Sequence, residues 1–273
     1  SRIKIDGEVH DESGQKATDF NGFVYPTIFD KFLDFESLGN DELSYIRKYQ
    51  LQNSVLYRGK VSVTNGDFSF QFVVPKDISY NFGDGKISYF ADNGVIDAHG
   101  YDTSITVGGS ITEIADDKTG PEVELFLDDE SWVFGGTTDP TPLLLCKVFD
   151  ENGINTVGNG IGRDITAIID AGTEQEQTIV LNDFYQSKLD SYQAGEVEYQ
   201  MEPIEPGVHT LKIRVWDVYN NVSEDETEFV VADDADLTLN NVINFPNPFT
   251  SSTVFHFDHN KVGQQMDVLL QII

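Results

Sequence analysis

Two short stretches carry hard oxygen donors at a spacing that could hold a divalent cation. FDENGIN (149–155) sets Asp150, Glu151 and Asn152 before a backbone-exposing Gly153, and WDVYNNVSED (216–225) offers Asp217, Asn220, Asn221 and Glu224. Carboxylate and carboxamide oxygens gathered in loops are what Ca²⁺ requires. Neither stretch is an EF-hand, because the D-x-[DN]-x-[DN]-G run and its closing Glu are missing. The same residue types make turns by bonding their own backbone, and turn formation is the first role expected of them. Asp150, Asn152, Asp217 and Asn220 stand as calcium candidates, and no other cofactor is expected.

Other chemistries find less support. Cys146 is the sole cysteine, so no intrachain disulfide forms. LLLCKVF (143–149) alternates, placing Leu144, Cys146 and Val148 on one strand face, where a small buried hydrophobe is expected. A thiolate nucleophile needs an electropositive, partly open setting, and only Lys147 is near in sequence. His10, His99, His209, His256 and His259 stand in no Cys/His or Ser/His/Asp signature. The glycine-rich NGINTVGNGIG (152–162) lacks the Lys-Ser/Thr of a P-loop, lacks a G-x-G-x-x-G opening, and has no helix after it. It is expected to be a turned loop, and no catalytic residue is expected in the chain.

The elements that must position these residues read as strands. KVSVTNGDFSFQF sets Val61 and Val63 before Asn65-Gly66 and Phe68, Phe70 and Phe72 after it. Period-two alternation about Asn-Gly is a strong hairpin signal. RIKIDGEVH and GKISYFA alternate likewise, and only DELSYIRKYQLQ (41–52) suggests a helical turn or two. Residues 1–113 are expected to form a β-sandwich. After the break ADDKTGPEV, short strand patterns recur at VELFL, LLLCKVF, DITAIID, TIVL, EVEYQM, HTLKIRVWD and TEFVV. Seven such strands with Gly-, Asn- and Asp-rich turns predict an immunoglobulin-like sandwich over 114–232, with Leu211, Ile213 and Val215 facing its core. The acidic joint ADDADLTLNN leads into 233–273, a linker and the truncated start of a third β unit, since two strands cannot close a core.

Charge limits the partners. Against 17 Lys+Arg stand 47 Asp+Glu, a net charge of −30. That field repels phosphate backbones and anionic membrane surfaces, so nucleic-acid binding is not expected. No run of eighteen apolar residues exists to span a bilayer, and membrane insertion is not expected.

INFPNPF…STVFHFDHN (243–260) resembles the segment that opens the C-terminal sorting domain of proteins handled by the bacterial type IX secretion system. DFNGFVYPTIFDK (19–31), NGDFSFQFVVPKDISYNFGDGKISYFA (65–91), DENGINTVGNGIGRDITAIID (150–170) and HTLKIRVWDVYNNVS (209–223) together resemble, in order, the region after the protease domain of the system's gingipain-like sortases, the PorU type. The resemblance implies a non-catalytic tail, serving as spacer and docking module, of an outer-surface cysteine endopeptidase in the Bacteroidetes. Such an enzyme removes sorting domains from cargo and joins the cargo to surface lipopolysaccharide. The implied partners are an outer-membrane β-barrel, other attachment-complex proteins, and cargo sorting domains met through the parent protease. Its catalytic domain is expected before Ser1, and no residue here matches that catalytic motif. The alternative is a surface adhesin or carbohydrate-binding module sent by the same route. It would need exposed aromatics on one sheet face, for which Tyr25, Trp132, Tyr192, Tyr199 and Tyr219 are candidates.

Overall fold

The computed structural model describes residues 1–41, 44–76, 78, 80–109, 117–156, 162–232 and 239–259. Within the first 109 residues come Arg2–Glu8 (β1), Gly22–Phe29 (β2), Leu33–Glu36 (β3), Lys48–Leu51 (β4), Val55–Arg58 (β5) and Val61–Val63 (β6). Asp67–Val73 (β7), Gly83–Asp84 (β8), Lys86–Asp92 (β9), Asp97–Asp102 (β10) and Thr106–Val107 (β11) follow. β1 and β7 form an antiparallel ribbon, and the order β10-β9-β2-β5, with β6 also on β2, makes the second sheet. Alternation fixes which faces meet: Phe68, Phe70 and Phe72 of β7 pack with Val24, Ile28 and Ile87 in one core.

Asn65 and Gly66 turn the chain with φ of 52° and 79°, the positive values a type I′ turn demands. The hairpin expected there is closed by a single Thr64–Asp67 bridge. Beyond it β6 pairs with β2 and β7 with β1. Both strands bury apolar faces in the same core, so they splay to opposite layers and the turn becomes a corner.

The helical turns expected over 41–52 are corrected at their C-terminal end. Lys48–Leu51 is strand β4, paired with β3, and Tyr49 stacks on Phe35 with ring centroids 5.7 Å apart. A cross-strand aromatic pair outweighs weak helix propensity in so short a run. Glu42 and Leu43 lie outside the described residues.

The second unit contains Glu122–Leu127 (β12), Gly136–Thr138 (β13), Leu143–Phe149 (β14), Thr166–Ile169 (β15) and Gln177–Val180 (β16). A 3₁₀ turn at Asn182–Phe184 leads to Tyr185–Ser187 (β17), Ala194–Gln200 (β18), Gly207–Trp216 (β19) and Val222–Val231 (β20). One sheet has the order β12-β14-β18-β17, the other β13-β20-β19-β15-β16. In immunoglobulin lettering these are ABED and A′GFCC′, with β13 parallel to β20. All seven expected strands form. β13 and β17, three residues each, are too short for alternation to announce. Leu144, Cys146 and Val148 meet Leu211, Ile213 and Val215 in the core, none more than 3% exposed.

Leu239–Phe245 (β21) and Val254–His259 (β22) make a separate antiparallel ribbon, with Val242, Ile243, Phe245 and Val254 all more than half exposed. The strand expected in MDVLLQII lies outside the described residues. Among the described residues no helix is long and apolar enough to cross a membrane.

Candidate metal centre at the junction of two sandwiches

The loops that follow β14 and β19 lie side by side at one end of the immunoglobulin-like unit. Ile154 bridges Asp217 in antiparallel fashion, and the Asn155 N–H donates to the Trp216 carbonyl at 2.8 Å. Asp150 shapes the first loop: its Oδ1 accepts the N–H groups of Asn152 (2.8 Å) and Gly153 (3.0 Å). Gly153 sits at φ 108°, a conformation that L side chains resist. Asp217 shapes the second loop by accepting the N–H groups of Tyr219 (2.9 Å) and Asn221 (2.7 Å) on Oδ1. The turn-making role expected of these residues is thus filled.

The same turns gather three acids. One carboxylate oxygen from each of Asp117, Asp150 and Asp217 lies within 4.8 Å of the others, and the latter two residues are buried. Asn152 Nδ2 donates to Asp117 Oδ2 at 2.7 Å, and Asn221 Nδ2 to Asp217 Oδ2 at 2.7 Å. Of the four calcium candidates, Asp150 and Asp217 are therefore adjacent. Asn152 presents amide hydrogens to Asp117 instead of an oxygen. Asn220 stands beside Asp217 with φ 71°, its Oδ1 buried without a hydrogen-bond partner. Asp117 was missed in the sequence. It belongs to the acidic joint before β12, 35 residues upstream of Asn152, and local spacing cannot reveal such a neighbour.

Burial pushes the Asp150 carboxyl up to about 6; negative Asp217 and Asp117 add to the shift, and its two N–H bonds oppose it. Burial raises Asp217 as well, with its own hydrogen bonds opposing and the Asp117 charge adding. Three carboxylates at this distance cannot all ionise cheaply. The cluster can relieve itself by holding a proton on Asp150 or by surrounding a hard cation.

The acid cluster adjoins the first sandwich. Val218 donates its N–H to the Gly153 carbonyl and accepts from the Lys76 N–H, both at 3.0 Å. Lys76 Nζ donates to the Tyr219 carbonyl at 3.2 Å and lies over the Tyr219 ring. Further along, Tyr192 packs against the first core with Arg2 over its ring, and Arg58 faces Asp183 at 3.7 Å. The two units therefore touch through specific polar contacts as well as apolar ones.

Elsewhere, Cys146 is 1% exposed. Burial, with the charges of Asp225 and Glu124 adding, pushes its thiol up to about 12, the reverse of what a nucleophile needs. His209 lies 2.7 Å from Asp170 Oδ2, while its other ring nitrogen is capped by the Glu205 carbonyl at 2.8 Å. Of the aromatic candidates, Trp132 donates to Thr227, Tyr199 meets Phe184 edge-on, and Tyr192 and Tyr219 are taken up at the junction. Tyr25 differs: with Phe23 and Phe90 it forms a strip on the outer face of β2 and β9, and Lys60 lies over Phe23 and Tyr25.

The molecule is thus a tandem of β-sandwich units, one of them immunoglobulin-like, sharing an acidic junction. No family model and no curated protein matches the chain. Among solved structures the chain is similar to dimeric latent PorU from Porphyromonas gingivalis, known from a crystal structure. Identity is 35%, over 96% of this chain and 24% of that one, with a TM-score of 0.47. The chain therefore spans about a quarter of that protein's length.

Proposed function

We propose that the chain is the non-catalytic β-sandwich tail of a type IX secretion sortase of the PorU type, acting as spacer and docking module at the outer-membrane surface. In this reading the parent protease cleaves sorting domains from cargo, and the tail holds it beside an outer-membrane β-barrel and other attachment proteins. The observation that carries it is Cys146. The only thiol is sealed between two sheets with its ionisation suppressed, which supports a scaffold role for these residues over thiol chemistry. The sequence similarity to a region of PorU supports the parentage, and the polar bonding between the two sandwiches suits a spacer of set length. The test is to delete these residues from the parent protease. Cleavage of a soluble sorting-domain peptide should persist while cargo attachment at the cell surface is lost. Thiol-dependent cleavage by this chain alone, abolished in Cys146→Ala, would overturn the proposal.

The strip of Phe23, Tyr25 and Phe90 favours a second reading, a glycan-binding module, because aromatic faces on one sheet can stack on sugar rings. A glycan array probed with the chain and with Tyr25→Ala separates the two. Binding that the substitution removes would favour the module.

A further inference from the structure

The first sandwich is incompletely filled at one end. Between β1 and β7 on one side and β2, β5 and β9 on the other lies a cavity of about 600 Å³, within the size range of ligand pockets. Ile5, Ile28, Leu56, Phe72, Ile87 and Ile105 build its wall. Tyr80 and Phe82 also line it, yet are 66% and 77% exposed, so an occupant would take two large rings out of water. Lys76 lines it too. Its ammonium gives one hydrogen to the Tyr219 carbonyl, and an ammonium has three to give.

We propose that this cavity binds the acyl chain of a single-chain fatty carboxylate, with the head group at Lys76. A polypeptide occupant would carry an N–H and a C=O at every residue, each needing a partner once buried. The six wall residues named above offer no side-chain partner. Tyr80, Thr106, Tyr219 and Lys76 are the polar side chains that share the lining with Ser1, few for a peptide backbone, whereas an alkyl chain needs none. The charge of the head group follows from complementarity. Lys76 lines this cavity, a local cation that an anionic head group can pair with against the repulsion of the chain's net charge of −30.

Dansyl-undecanoic acid titrated into the full chain tests the proposal. Its fluorescence should rise and saturate, and dodecanoate should displace it. Ile3→Trp, at a position 36% exposed that lines the cavity, fills the space with an indole and should abolish binding while the melting temperature holds. If that variant does not fold, Phe82→Ala, on an exposed ring, must weaken the probe instead. Lys76→Met should weaken dodecanoate about fivefold, the scale of a part-exposed ion pair, and leave dodecanol unchanged. A signal that does not saturate, or one that survives both cavity variants, overturns the proposal. So does equal loss of dodecanol and dodecanoate in Lys76→Met, or displacement by an apolar peptide and not by dodecanoate.

Discussion

Asp190 of the immunoglobulin-like unit accepts two hydrogen bonds from Ser62 of the first sandwich, one from the backbone N–H and one from the hydroxyl, each at 2.7 Å. The Asp190 N–H donates in return to the Lys60 carbonyl at 2.9 Å. Asp190 holds φ at 57°, a left-handed conformation that Asp and Asn tolerate better than other L residues. Asp190→Ala removes both acceptors and strains the turn, so it should uncouple the sandwiches by about 2 kcal/mol. Asp190→Asn keeps the backbone and one acceptor oxygen and should lose about half of that. Calorimetry checks this. The alanine variant should broaden or split the unfolding transition, and a thermogram unchanged from the parent chain would show that Asp190 does not couple the units.

Asp150 binds its proton more tightly in the folded chain than in the unfolded one, its value rising from 3.8 to about 6. The stability that proton contributes is therefore complete below 3.8 and is lost as pH rises through about 6. Asp217, raised in the same direction, adds to the slope. In calcium-free buffer the melting temperature should fall across this window. Asp150→Asn should flatten the fall and gain about 1 kcal/mol at neutral pH, because a carboxamide oxygen still accepts from Asn152 and Gly153. A pH profile that the substitution leaves unaltered would show that Asp150 ionises without cost.

Calcium removal should be visible in the same cluster. A cation bound by the folded chain alone stabilises it by mass action, and the acids from three separate segments should hold the junction more tightly when bridged. Millimolar calcium should raise the melting temperature, EDTA should reverse the rise, and Asp217→Asn should abolish it. If calcium leaves the melting temperature unmoved in the parent chain, these carboxylates serve as turn-formers alone.

Much of the architecture was legible in sequence because burial writes itself as period two. Leu211, Ile213 and Val215 alternate with Lys212 and Arg214, and the structure buries the first three. Local turn chemistry was equally legible at Asn65-Gly66. What escaped depends on tertiary placement. Nothing within a few residues of Val61 or Phe68 says that their strands part after one bridge to join different sheets. The ribbon of β3 and β4 hides because stabilisation comes from Phe35 on Tyr49, across the loop between them. Asp150 and Asp217 were visible as donors, but their meeting with Asp117 follows from strand order and from a joint that spacing cannot place.

Cys146 supplies the last test. Its thiol is pushed up to about 12 by burial and by Asp225 and Glu124, and it packs with Leu144, Val197 and Ile213 in the second core. A thiol reacts as the thiolate, so a disulfide reagent such as DTNB should label the native chain only as fast as the core opens, and label it at once in denaturant. Cys146→Ala should cost about 1 kcal/mol, the scale of one lost buried group of methyl size. Cys146→Ser should cost more, about 2 kcal/mol, because it buries a hydroxyl whose one acceptor is the Lys147 carbonyl, 3.8 Å from the present sulfur and too far for a good O–H bond. The order alanine above serine in melting temperature is the signature of a packing cysteine. Rapid native labelling, or a serine variant as stable as the parent, would show instead that the strand face around position 146 opens to solvent.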